Sequence, residues 1–188
     1  MMNIDRIIAL DRQLALWLHL HAAEPLTSLM LGVSLLHEPV VVLAVVALFA
    51  AWLWRREAHY WVLALVVTVP GGMLLNVLLK YVFQRSRPVF EHPLVTLSTY
   101  SFPSGHAAAA TLLYGFVACF LVMEHRGKPA WVLPACALMV LLVAASRMVL
   151  GAHYLSDVLA AMLEGLAWLA LCLGTVGALR RRRLSAKP

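Results

Sequence analysis

Apolar residues run along this chain in blocks too long and too continuous for the amphipathic helices of a water-soluble fold. Residues 58–79, 105–123, 130–149 and 155–179 are each almost unbroken in Ala, Leu, Val and aromatic side chains. About 20 such residues in a helix cross the hydrocarbon of a bilayer, so each block predicts a span. A fifth block, PVVVLAVVALFAAWLW at 39–54, is short alone. It reaches full length if the helix runs back through SLMLGVSLL, with Pro39 as a kink. Residues 4–22 differ. Ile4, Ile7, Ile8, Leu14 and Leu18 line one side, while Asp5, Arg6, Arg12, Gln13 and His19 fill the rest. That pattern predicts an amphipathic interfacial helix over 1–23. The expectation is an all-α, polytopic helical membrane protein of about six helices, five or six of them transmembrane, forming one membrane-embedded domain over 1–188.

Composition strengthens this reading. Of 188 residues, 63% are hydrophobic and only 13% charged, with a mean hydropathy of +0.85. Soluble domains carry roughly 25% charged residues, so lipid must cover part of this surface. Cys119, Cys136 and Cys172 all lie in apolar runs, odd in number and without metal spacing. The N-terminus lacks the small-residue cleavage site of a signal peptide.

The net charge of +6 would suggest nucleic acid if it were not so placed. Arg55 and Arg56, Arg126 and Lys128, and Arg180 to Arg183 with Lys187 all fall on one side of the predicted spans. By the positive-inside trend that side is cytoplasmic, with 180–188 as a basic tail, and the partner is a bilayer. The other side receives residues 80–104 and 148–154, yet it carries Lys80, Arg85, Arg87 and Arg147. These cations run against the trend and so serve something other than topology.

Three polar clusters lie on that second side: KYVFQRSRP from Lys80, PSGH at 103–106, and SRMVLGAHYLSD from Ser146. Each begins or ends a helix at one membrane face. Converged, Lys80, Arg87 and Arg147 supply permanent charge, the arginines as planar forks matched to phosphate oxygens. Ser104 occupies an N-cap position, and the free N–H groups after it, with the helix dipole, form an anion site. Gly105 lets a ligand approach the backbone. His153 and Asp157 are four apart and share a helical face, so the carboxylate fixes one ring nitrogen and leaves the other as a nucleophile. His106 is then placed to protonate a departing oxygen and to activate water. Outside the clusters, His19, His21, His37, His59 and His125 match no motif. The PGG at 70–72 reads as a kink with close packing, and Asn76 as a cross-helix hydrogen bonder. Glu164 is read as structural, about 10 Å along the helix from Asp157.

The three clusters resemble the signature motifs of the type-2 phosphatidic acid phosphatase superfamily, K-x6-RP, PSGH and SR-x5-H-x3-D, matched here at every specified position and in order. The resemblance implies a metal-independent, cofactor-free lipid phosphate phosphatase with a phosphohistidine intermediate. It makes His153 the nucleophile, Asp157 its orienting partner and His106 the acid/base. It makes Lys80, Arg87, Ser104, Gly105 and Arg147 the phosphate ligands. The implied substrate is a membrane lipid of the phosphatidic acid or phosphatidylglycerophosphate type, with undecaprenyl diphosphate as the alternative. Loop charges and the likeness together place the site on the extracytoplasmic side of a bacterial plasma membrane. Two rivals are weaker. The related vanadium haloperoxidases are soluble, and a non-catalytic lipid-phosphate binder or transporter needs neither histidine.

Overall fold

The structure is a computed structural model describing residues 4–91, 93–124 and 130–185. His125, Arg126, Lys128 and Lys187 lie outside the described residues. The described elements are seven helices: α1 Ile4–His21, α2 Leu26–Leu35, α3 Pro39–Arg55, α4 His59–Phe83, α5 Gly105–Glu124, α6 Val132–Val149 and α7 Leu155–Ser185. Helices α4 to α7 are the four continuous apolar blocks, each long and apolar enough to cross a membrane. The α2–α3 pair makes a fifth span if counted as one. It is bent by 49°.

That bend corrects the expectation of one kinked helix. Glu38 precedes Pro39, whose ring disfavours the helical conformation one residue earlier. Glu38 accordingly sits at φ −57°, ψ 143°, and the helix restarts with Pro39 in its first turn, where a missing N–H costs nothing. His37 fills the break, with Nδ1 2.7 Å from the Val33 carbonyl and Nε2 2.8 Å from the Tyr114 hydroxyl. The proline therefore separates two helices, and the corner it makes carries Glu38.

Helix α5 is the hub. Directly after Gly105 and His106 it carries four alanines, Ala107 to Ala110, all at most 1% exposed. Small side chains let neighbouring helices approach closely, which in lipid supplies the packing that water-driven burial cannot. Glycines on the neighbours meet α5 in the same way. A Cβ on Gly72 would lie 2.5 Å from Leu112, and one on Gly165 would lie 3.0 Å from Thr111. At the end of α5 farthest from Gly105, Phe116 and Phe120 pack edge-on against Phe49 and Trp61, whose indole N–H donates to Glu124 at 2.7 Å. Midway along α7, Glu164 accepts from Asn76 at 2.8 Å. This is the cross-helix bond expected of that amide.

The chain directions follow. Helices α3, α5 and α7 start at one end of the bundle, where Glu38, His106 and Asp157 lie, and α4 and α6 return to it. Helix α1 lies against α6 and α7. Its Ile7, Leu14 and Leu18 are half-buried, beside the buried Asp11 and Ala15, while Leu10, Leu16, Trp17 and Leu20 are exposed.

Candidate active site

All eight residues singled out in the three clusters come together at that end. Lys80 arrives on the last turn of α4, Ser104 to His106 at the start of α5, Arg147 on the last turn of α6, and Asp157 on the first turn of α7. Arg87 and His153 come from the connections. Gly151, in a left-handed conformation at φ +69°, turns the chain between α6 and α7 so that His153 folds back over Arg147, whose carbonyl accepts from the His153 N–H at 3.2 Å.

A cavity of about 580 Å³ opens between α3, α4, α5 and residues 97–100. Lys80, Arg87, Gly105, His106, Arg147 and His153 line its polar wall, and Met73, Val77, Tyr81 and Leu97 line its apolar wall. Several buried polar atoms in and beside it have no hydrogen-bond partner: Ser104 Oγ, His106 Nε2, and Arg147 Nε and Nη2. Buried polar groups are almost always satisfied. Four such atoms at one spot, each a donor or able to be one, describe a receptor for an anion. Ser104 thus holds the N-cap position without making the cap bond with its side chain. A Cβ on Gly105 would make only ordinary contacts, 3.5 Å from Asn76 and 3.8 Å from Lys80. The glycine is therefore not demanded by packing; it leaves backbone open.

The other cations are already held. Lys80 Nζ donates to the carbonyls of Tyr100 at 3.0 Å and Pro103 at 2.5 Å. Arg87 donates to Thr99 O at 2.7 Å, Ala152 O at 2.8 Å, Thr99 Oγ1 at 2.9 Å and Tyr100 O at 3.1 Å. These bonds fasten the segment 99–103 over the cradle.

The histidine is oriented by its neighbours. Arg87 Nη1 lies 3.2 Å from His153 Nε2, and a guanidinium only donates, so Nε2 is the unprotonated nitrogen and faces the cavity. Nδ1 carries the proton, 3.6 Å from Asp157 Oδ2 and 3.4 Å from Ser101 Oγ. Ser101 in turn donates to Asp157 Oδ2 at 2.5 Å, so a hydroxyl stands between imidazole and carboxylate. Burial pulls His153 from the ordinary histidine range down to about 4, opposed by Asp157 and reinforced by Arg87, Lys80 and Arg147. The ring is neutral near pH 7.

Four participants were not among the residues singled out. Ser101 is one. Arg85 is a second, donating to Asp157 Oδ1 at 2.5 Å; it belongs to the cations whose position ran against topology, which was its signal. Asp11 is a third, a buried acid between Ile7, Ile8 and Leu14 on the apolar stripe of α1. Glu38 is the fourth, its carboxylate 3.6 Å from His106 Nε2 at the cavity mouth. Only the proline-made corner brings it there.

Fold and site together define a class: a multi-pass membrane protein with a cationic anion cradle and two histidines at one end of its bundle. The model of the PAP2 superfamily matches residues 60–181. The chain belongs to that superfamily and is a phosphatase, a hydrolase of phosphoric esters. Phosphatidylglycerophosphatase B of Bacillus subtilis (strain 168) is 30% identical over 163 residues, 84% of this chain and 79% of the relative. Lipid A 1-phosphatase of Rhizobium johnstonii is 36% identical over 110 residues, 54% of this chain and 41% of the relative. The crystal structure of a transmembrane PAP2-type phosphatidylglycerolphosphate phosphatase from Bacillus subtilis matches at a TM-score of 0.81 and 28% identity, over 92% of this chain and 87% of that one.

Proposed function

We propose that the protein removes a terminal phosphate from a membrane lipid of the phosphatidic acid or phosphatidylglycerophosphate type, through a phosphohistidine on His153. The observation that carries this is the set of buried, unpartnered atoms of Ser104, His106 and Arg147 in and beside the cavity that His153 Nε2 faces. In the first half-reaction, Nε2 attacks phosphorus and the bond to the lipid oxygen breaks. The departing oxygen takes a proton from His106. Water then attacks the phosphohistidine, His106 accepts its proton, and the N–P bond breaks to release inorganic phosphate. Lys80, Arg87, Ser104, Gly105 and Arg147 hold the phosphoryl oxygens, supplying charge stabilisation through preorganised donors.

A lipid substrate is favoured by the two-sided cavity. Its apolar wall includes Val77 and Tyr81, which are also exposed on the outer surface of α4. A phosphate in the cradle therefore leaves acyl chains a path beside α4 into the bilayer. The site faces away from the cytoplasm in this reading, since Arg55, Arg56 and the arginine-bearing C-terminal end of α7 lie at the opposite end of the bundle. The setting is a bacterial plasma membrane, in keeping with the source of the relatives.

The test is phosphate release by detergent-purified wild type and His153→Ala, with chelator present, on phosphatidic acid, phosphatidylglycerophosphate and undecaprenyl diphosphate. Chelator-resistant release that is lost in the variant supports the proposal, and the preferred lipid names the substrate. Folded wild type that releases nothing from any of them refutes it.

A further inference from the structure

The amphipathic pattern of α1 predicts only a helix lying in the membrane interface, and such a helix has no use for a buried acid. Asp11 is nevertheless 4% exposed. Burying an unpaired carboxylate is costly, so its partners reveal what it is for. All of them belong to the active-site end. Asp11 Oδ2 accepts from Arg85 Nη2 at 2.8 Å, Oδ1 accepts from the Ser156 N–H at 3.0 Å, and the Ser156 hydroxyl donates to Oδ2. Arg85 also donates to Ser156 Oγ at 2.6 Å and to Asp157 Oδ1 at 2.5 Å, and stacks 4.4 Å over the Tyr154 ring. The carboxylate thus caps the start of α7 from another helix and shares one guanidinium with Asp157.

We infer that Asp11 and Arg85 are positioning residues for catalysis: Asp11 fixes Arg85, Arg85 fixes Asp157, and Asp157 with Ser101 sets the orientation and basicity of His153. The inference rests on the phosphatase reading above. Charge alternates along the row, Asp11 negative, Arg85 positive, Asp157 negative, ending at the imidazole. The other charged or titratable groups facing His153 are Arg87, Lys80 of α4, His106 of α5 and Arg147 of α6. None of these contacts Asp11 among the described residues. Removing either member of the pair therefore changes His153 by way of Asp157, and in opposite senses. Without Asp11, Arg85 acts on Asp157 alone, so the carboxylate supports a protonated imidazole less. Without Arg85, the carboxylate acts on His153 unshared and supports it more.

The experiment uses the full chain in detergent with phosphatidic acid, comparing wild type, Asp11→Asn, Asp11→Glu and Arg85→Gln. Misplacing a reacting group by a fraction of an ångström costs roughly 10- to 100-fold. We expect kcat to fall by that factor in Asp11→Asn and Arg85→Gln, with KM within about twofold of wild type. The acid limb of kcat/KM should move to lower pH in Asp11→Asn and to higher pH in Arg85→Gln, and Asp11→Glu should regain part of kcat. Unchanged kcat in both variants, or shifts of the limb in the same direction, overturn the inference. So does a loss that merely tracks the folded fraction, with the pH profile of wild type. An inert wild type instead brings down the phosphatase reading, and this one with it.

Discussion

Replacing Asp157 by asparagine changes one atom type and almost no volume, yet the hydrogen bonds around it dictate a large effect. Asp157 is wholly buried and receives donors on both oxygens. Oδ1 faces Arg85, while Oδ2 faces the Ser101 hydroxyl at 2.5 Å and the Tyr154 N–H at 2.9 Å, with His153 Nδ1 at 3.6 Å. An amide must turn its NH2 to one side or the other. Turned toward Arg85 it opposes a permanent cation, so the carbonyl stays there and the NH2 points at Ser101, Tyr154 and His153. Nδ1 then becomes an acceptor and the ring proton moves to Nε2, the nitrogen proposed to attack phosphorus. The comparable loss of tautomer control in a serine protease costs about 10⁴-fold in kcat. Here Ser101 still contacts Nδ1, so we expect about 10³- to 10⁴-fold, or roughly 4–5.5 kcal/mol of transition-state stabilisation. The assay is steady-state phosphate release from phosphatidic acid, with size-exclusion and circular dichroism to certify the variant. A folded Asp157→Asn enzyme with kcat within tenfold of wild type would refute the reasoning.

Two further outcomes rest on the same geometry. With His153 held down to about 4, its neutral form persists well below pH 6, so if it is the proposed nucleophile, activity should fall only near pH 4. The same shift makes folding pH-dependent: stability is intact above the unfolded histidine value of about 6.5 and is lost as pH falls toward 4, by about 3 kcal/mol, readable in denaturation midpoints across that window. In the bundle, Gly72→Ala places a methyl 2.5 Å from one Leu112 carbon and 2.8 Å from the Trp168 ring. Such overpacking costs about 1–3 kcal/mol and should lower Tm in detergent by roughly 2–10 °C, whereas Gly174→Ala, with nothing within 4 Å, should not lower it.

The spans were legible because their signal is local. Twenty apolar residues in a row state a helix wherever its partners lie, and α4 to α7 begin and end within a few residues of the expected bounds except where α7 runs on through its arginines. The α2–α3 corner was half legible: Pro39 announced an interruption, but whether a proline kinks or breaks a helix depends on what satisfies the freed groups. His37 does so here, reaching Tyr114 from 77 positions away. The eight site residues were readable because their types and spacings form ordered motifs, and the fold brings all of them to one end of the bundle. Ser101, Glu38 and Asp11 were not, since each works through a contact made only by folding. Asp11 did leave a trace, an acid on a stripe of isoleucine and leucine, but from sequence alone it reads as a flaw in the amphipathic pattern.

The cradle and the rim of this cavity are built differently. Its floor begins on the first turn of the four-alanine helix, so a change that disturbs the floor must also disturb the packing of the whole bundle. The rim is freer of that obligation: Leu97, Ser98 and Thr99 line the cavity from a connection rather than a helix, and Leu97 is 41% exposed. In the proposed phosphatase, headgroup preference and bond-breaking chemistry would then lie in separable parts of the chain. A transplant of a few rim residues should retarget the enzyme to another lipid while the hydrolytic machinery beneath is inherited unchanged.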